Sequence, residues 1–232
     1  MGDSSPSDYL ADFGLPRGCS TGRWEEDWNV PEFFAQDFFQ AVGKESRDAW
    51  AAQGKGLLSE SWPSLFVGGV GTRTGLHVDY GASHFWMLVT EGRKDWVVFP
   101  GQMAPFLYKG WSAPHYPVNA FALEKGVKRR PLSAAARGFR GATKPGDVIF
   151  VPSGSVHAVR NTRSPTVAVS MNYVDATNVE EAVRDLSSSH RSEVDAATGK
   201  ELERFVGAPP GRTAAREAVG VEGVSLSKYR GK

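Results

Sequence analysis

Cysteine is nearly absent from this chain. Cys19 stands alone among 232 residues, so no disulfide can close within it. That scarcity argues against a disulfide-stapled scaffold and suits a reducing compartment, nuclear or cytoplasmic. Net charge is also nearly absent. The 27 basic and 26 acidic side chains leave +1, and no global field draws the protein to nucleic acid or membrane. No apolar run approaches the roughly 18 residues of a membrane span. The opening MGDSSPSDYL lacks an apolar signal core, so the expectation is an intracellular protein with no membrane association. Histidine is scarce too, with five in all, so each one can be weighed singly.

An apolar content of 41% and a charged content of 23% are those of a globular domain with room for a core, and argue against disorder. Residues 1–30 are rich in Gly, Ser, Pro and acidic groups and read as an irregular segment. In VPEFFAQDFFQAVG, Pro31 suits a first helical turn, Gly43 a position past the end, and Phe34, Phe38 and Ala41 recur at helical spacing, predicting one amphipathic helix. From Ser64 the texture changes to short β-branched or aromatic runs, among them SLFVGGV, HFWMLVT, DWVVFP, DVIFVP and TVAVSMNYV. Gly, Pro, Asn or charged residues separate most of them, which predicts a mainly β sandwich or barrel over 31–176 with its N-terminal helix. A long break at 101–145 carries Lys109, Lys125, Lys128, Arg129, Arg130, Arg137, Arg140 and Lys144 against Glu124 alone. It is expected to be a solvated excursion, and alternatively a contact surface for an acidic partner or nucleic acid. Beyond it, 177–232 should hold helices and a Gly/Pro/Ala-rich tail, with Thr177 and Glu180 forming a capping box and Val179, Ala182, Val183 and Leu186 an apolar stripe.

Within TGLHVDYGASHFW the pair His77 and Asp79 is two residues apart, so in a strand both project to one face while Val78 turns away. In KPGDVIFVPSGSVHAVRN a strand, a tight turn at Pro152-Ser153-Gly154 and a returning strand bring in His157. Two histidines and one carboxylate gripping one side of an ion, with the other side open, form the facial triad of non-haem Fe(II) oxygenases. The open side matters because oxygen and an organic co-substrate must bind as neighbours, which a closed tetrahedral site forbids. The remaining histidines have plainer roles: His84 a strand histidine with a hydrogen bond, His115 and His190 surface positions. Trp86 and Trp96 are expected in the core, and Cys19 has no neighbour in sequence to activate it.

The segments TGLHVDYGASHFWMLVTEGRKDWVVFP and KPGDVIFVPSGSVHAVRNTRSPTVAVSMNY resemble the JmjC family of the cupin superfamily, and within it the branch of the nuclear lysyl hydroxylase once called the phosphatidylserine receptor. The similarity extends over roughly residues 23–180. It implies a double-stranded β-helix (a jelly-roll cupin barrel), Fe(II), O2 and 2-oxoglutarate as co-substrate. His77, Asp79 and His157 match the iron triad. Lys94 matches the basic residue that pairs with the distal carboxylate of 2-oxoglutarate, and Thr74 a hydroxyl that hydrogen-bonds it. A dicarboxylate inside an apolar barrel needs such a counter-charge, because an unpaired buried carboxylate is very costly. Ser170 and Asn172 match polar positions near the co-substrate, and Tyr9 a tyrosine that closes its pocket. Met87 stands where the branch has asparagine, residues 80–84 differ from it, and the long basic Ser-rich extension of the nuclear protein is not seen.

The implied activity is hydroxylation of a protein side chain, lysine or arginine first, or demethylation through hydroxylation of a methyl group. Alternatives are a histone lysine or arginine demethylase, an RNA-base hydroxylase, a non-catalytic metal-binding cupin interaction module, and a cupin isomerase or sugar-binding protein. The C-terminal helices are candidates for homodimer contacts, as in some relatives.

Overall fold

The β-branched and aromatic runs after Ser64 pair as antiparallel strands, and their alternation decides what each strand buries. The computed structural model describes residues 9–15, 30–52, 61–109 and 116–209. Its strands are β1 (Tyr9–Gly14), β2 (Ser64–Gly68), β3 (Arg73–His77), β4 (His84–Glu91), β5 (Lys94–Phe99), β6 (Phe139–Thr143), β7 (Val148–Val151), β8 (Val156–Asn161) and β9 (Thr166–Tyr173). They form a five-stranded sheet in the order β1-β2-β9-β4-β7 and a four-stranded sheet in the order β3-β8-β5-β6. From β2 to β9 the chain passes back and forth between the two sheets, save for β5 and β6, which pair within the four-stranded sheet; this is the double-stranded β-helix expected from the sequence. Phe85, Met87, Val89, Val151 and Ala168 of one sheet meet Trp96 and Val159 of the other, so these positions define the inner faces. Met87, where the branch has asparagine, is 1% exposed and belongs to this core.

The described chain divides into two compact units. The first comprises Met1–Phe13, Ser64–Tyr80 and His84–Met171, and holds the strands save the ends of β1 and β9. The second comprises Gly14–Pro63, Gly81–Ser83 and Asn172–Lys232. It carries the helices α1 (Lys44–Ala52), α3 (Val179–Leu186) and α4 (Glu193–Leu202), while the short α2 (Leu123–Gly126) lies in the first. In the second unit α4 packs on both α1 and α3. Phe38 stacks on Phe205 at 4.4 Å and Phe39 on Trp62 at 5.7 Å.

Several expectations are corrected. Residues 31–43 do not form one helix; two 3-10 turns, Glu32–Phe34 and Phe38–Ala41, replace it. Asp37 interrupts them in extended conformation and caps the second, its Oδ1 accepting from Phe39 N–H at 3.0 Å. The segment read as irregular contains β1. The capping box is not at Thr177. Asn178 occupies that N-cap with Oδ1 turned back to Asp175 N–H, and the capping box lies on α4 between Ser192 and Asp195. The 101–145 segment is more than a solvated excursion, although most of its described basic side chains are exposed. It contributes β6, and Leu107, Tyr116, Val118, Ala120 and Ala136 bury the outer face of the four-stranded sheet through Leu76, Val97, Phe99, Val156 and Ala158. Cys19, His115 and the tail beyond residue 209 lie outside the described residues. No described helix is long and apolar enough to cross a membrane.

Candidate metal centre

A strand's alternation alone would not bring Thr74 and His77, three apart, to one face. The pairing of β3 with β8 supplies the correction: Thr74 faces Val159 and His77 faces His157, so three steps on β3 match two on β8. The extra residue is a bulge at Gly75-Leu76, and it re-aims His77 inward. Beyond the end of β3, Val78 packs on the outer core and Asp79 swings back. His157 sits on β8, bonded to β3 on one side and β5 on the other, and is 2% exposed.

The three donors converge. One ligand atom from each of His77, Asp79 and His157 lies within 4.8 Å of the others. Asp79 stands between the rings, Oδ1 3.6 Å from His77 Nε2 and Oδ2 3.7 Å from His157 Nε2. Each ring is anchored through its other nitrogen. His77 Nδ1 lies 2.8 Å from Gly75 O, and His157 Nδ1 3.2 Å from Ser155 O. A carbonyl only accepts, so each Nδ1 carries the proton and each Nε2 keeps a lone pair aimed at the shared space. Phe85 and Trp96 flank the His157 ring at 5.8 and 6.4 Å. Burial, reinforced by the His77 charge, lowers the His157 pKa against the pull of Asp79. For His77 burial also acts downward, but the Asp79 hydrogen bond and charge, with the Gly75 and His157 carbonyls, raise it overall. This donor set, with tautomers fixed by the backbone, fits a divalent metal held by two imidazoles and a carboxylate.

A second polar group shares the inner face. On β5 and β8, Val98 pairs with His157, Trp96 with Val159 and Lys94 with Asn161. Alternation therefore puts Lys94 on the side of His157, about 13 Å further along the strands. Lys94 is 0% exposed and has no carboxylate partner among the described residues. Burial lowers its pKa to about 8. Its Nζ donates to Asn161 Oδ1 at 3.0 Å, and Asn161 Nδ2 donates to Thr72 Oγ1 at 2.7 Å. The Tyr9 and Phe66 rings lie 5.8 and 5.7 Å from Nζ. Burial raises the Tyr9 pKa, against the opposing pull of the neighbouring Thr74 hydroxyl.

The structure thus groups Tyr9 with Thr74 and Lys94. Ser170 is buried opposite Ser64 in the β2–β9 register. Asn172 belongs to the second unit and donates to Ser83 Oγ at 2.9 Å. Asn161 and Thr72 escaped sequence reasoning, although Asn161 follows His157 and Val159 in the same period-two row. His84 is a buried strand histidine whose Nδ1 accepts from Ser153 N–H at 2.9 Å.

A jelly-roll barrel presenting two histidines and an aspartate on its inner wall defines a cupin. The chain belongs to the cupin-like domain family, which matches residues 22–178. It is 23% identical over 184 residues to the arginine-specific demethylase JMJ22 of Arabidopsis thaliana. It is 26% identical over 183 residues to the bifunctional arginine demethylase and lysyl-hydroxylase psr-1 of Caenorhabditis elegans, and 28% over 179 residues to the 2-oxoglutarate and iron-dependent oxygenase JMJD4 of Homo sapiens. These alignments cover 75%, 76% and 73% of this chain but 32%, 42% and 40% of the relatives, so the chain spans less than half the length of each. The resemblance to JmjC oxygenases of the psr-1 type is borne out.

Proposed function

We propose that the protein is an Fe(II)- and 2-oxoglutarate-dependent dioxygenase that hydroxylates a protein side chain, lysine or arginine. The observation that carries this is the fully buried Lys94, lacking a carboxylate among the described residues, on the same inner face as the His77–Asp79–His157 group. An ammonium kept in an apolar barrel is costly unless an anion arrives, and the distal carboxylate of 2-oxoglutarate supplies one. The relatives, which include an arginine demethylase, a bifunctional arginine demethylase and lysyl-hydroxylase, and a 2-oxoglutarate and iron-dependent oxygenase, support the reaction class and the acceptor.

His77, Asp79 and His157 would hold the iron, their Nε2 and carboxylate donors preset by the backbone. Iron, when bound, supplies the oxygen activation that couples decarboxylation of 2-oxoglutarate to succinate and CO2 with insertion of one oxygen atom into a substrate C–H bond. The chain's own residues bind and orient. Lys94, steadied by Asn161, holds the distal carboxylate as a charge-assisted partner, and the Thr74 and Tyr9 hydroxyls supply hydrogen bonds beside it. Trp96, Val159 and Phe85 keep the space between the two polar groups dry, which strengthens each electrostatic contact.

The test is succinate production from 2-oxoglutarate with Fe(II) and a panel of lysine and arginine peptides, followed by mass spectrometry of the peptides. A gain of one oxygen supports hydroxylation, and a lost methyl supports demethylation. Lys94→Glu should abolish turnover while metal binding survives. Unchanged turnover in that variant removes the co-substrate assignment.

A further inference from the structure

We propose that the exposed part of the outer face of the four-stranded sheet, beside the part that the 101–145 segment covers, is a docking surface for an acidic peptide segment of a partner protein. The face opposite the metal group carries a concentrated cluster of guanidinium groups. Pairing sets Arg73 beside Arg160 and Arg160 beside Asp95, one strand spacing of about 4.8 Å apart each time. Arg93 precedes Asp95 on the same side, and Arg140 faces Val97 from β6. All four arginines are exposed, and Asp95 is the one carboxylate in their rows.

The cluster is organised rather than loose. Asp95 accepts from Arg93 Nε at 3.3 Å through Oδ1 and from Arg160 Nη2 at 3.2 Å through Oδ2. The Arg160 guanidinium also lies 4.5 Å from the Phe121 ring, and Arg140 Nη2 donates to Ala120 O at 2.9 Å. Arg73 has no carboxylate partner among the described residues. One carboxylate thus already occupies part of a site shaped for several, and Asp95 serves as an internal stand-in for the partner's acids. The planar fork of arginine suits carboxylates bidentately, and its order here lowers the entropy lost on binding.

Beside the arginines lies a pocket of about 230 Å³ lined by Arg73, Leu76, Tyr116, Val118, Phe121 and Ala158 among others. It is mainly apolar and holds one aliphatic or aromatic side chain, which an acidic peptide with an interspersed leucine or phenylalanine provides. A nucleic-acid strand is disfavoured, because the Phe121 ring is already covered by Arg160 and offers no stacking platform. This inference concerns binding on the outer face and stands apart from the oxygenase assignment.

The test is fluorescence anisotropy of the full chain with a short labelled peptide alternating Glu or Asp with Leu, at low ionic strength. Saturable binding that weakens as salt rises is expected. The double reversal Arg73→Glu with Arg160→Glu should weaken it at least roughly tenfold, and Asp95→Asn should tighten it by about threefold. Lys128→Glu, in the basic run outside the cluster, should change it less than about twofold. A misfolded variant cannot bind better, so the gain with Asp95→Asn separates recognition from damage. The proposal is overturned if the acidic peptide does not bind saturably, if the double reversal leaves binding intact, or if Asp95→Asn does not tighten it. It is equally overturned if Lys128→Glu matches the double reversal, or if a lysine-for-acid peptide or a single-stranded oligonucleotide binds more tightly.

Discussion

The ammonium of Lys94 lies 3.0 Å from Oδ1 of Asn161, inside a barrel wall that leaves the lysine no exposed surface. Asn161 is held in turn by Thr72 and by backbone bonds, Asn161 N–H to Thr72 O at 2.8 Å and Gly71 N–H to Asn161 O at 2.9 Å. Lys94 is thus aimed before any co-substrate arrives, with its charge destabilised by burial.

Asn161→Leu should therefore act on co-substrate affinity and leave the metal alone. Loss of a buried hydrogen bond to a charged group costs about 1.5–3 kcal/mol, which raises the KM for 2-oxoglutarate roughly ten- to hundredfold. Steady-state succinate assays and a metal titration check this. The expected split is a changed KM with unchanged metal stoichiometry.

Gly68 faces the same network. A Cβ there would stand 2.6 Å from Thr72 Oγ1, 2.7 Å from a Tyr9 ring carbon and 2.9 Å from Asn161 Nδ2. Gly68→Ala should lower stability by about 1–3 kcal/mol through overpacking. It should also weaken 2-oxoglutarate binding, since the displaced groups orient Lys94. Denaturant melts and co-substrate titrations measure the two effects separately.

The second unit should respond to pH through Asp37. Burial of its carboxyl group raises its pKa from 3.8 to about 7, against hydrogen bonds from the Phe39 and Val174 amides. The folded form binds the proton more tightly than the unfolded chain, so this group adds stability at low pH. That contribution falls away between about pH 4 and 7, amounting to roughly 2–4 kcal/mol. Asp37→Asn keeps an amide-accepting oxygen and removes the titration. The stability difference between variant and parent should grow in the variant's favour from pH 4 to 7 and level off above. A constant difference would count against the buried charge.

Much of the centre was legible because period two is legible. Two residues separate His77 from Asp79, a strand-turn-strand run delivers His157, and Lys94 opens a buried strand. The bulge that turns His77 toward Thr74 was not legible, because it exists only in the mismatch between β3 and β8. Asp79 converges from beyond the strand end and not by the alternation expected of it. The fold of 101–145 was also hidden. Tyr116, Val118 and Ala120 alternate over too short a run to be read as a strand, Leu107 and Ala136 lie far from them in sequence, and their common purpose is a sheet face formed by distant strands. β6, with the sequence FRGAT, is a strand through its pairing with β5 more than through its own preference. The helix expected at 31–43 failed because Asp37 caps a new turn in the middle of an otherwise helical spacing.

The central claim is that His77, Asp79 and His157 hold one ferrous ion whose remaining positions accept 2-oxoglutarate. Anaerobic titration with Fe(II) and then 2-oxoglutarate, followed by the visible charge-transfer absorption of a chelated 2-keto acid, tests it most directly. The protein should develop the band with one iron per chain. His77→Ala and Asp79→Ala should lose it while remaining folded, and Lys94→Met should need more 2-oxoglutarate to reach it. A band that survives in the His77 and Asp79 variants, or never forms in the parent protein, contradicts the account.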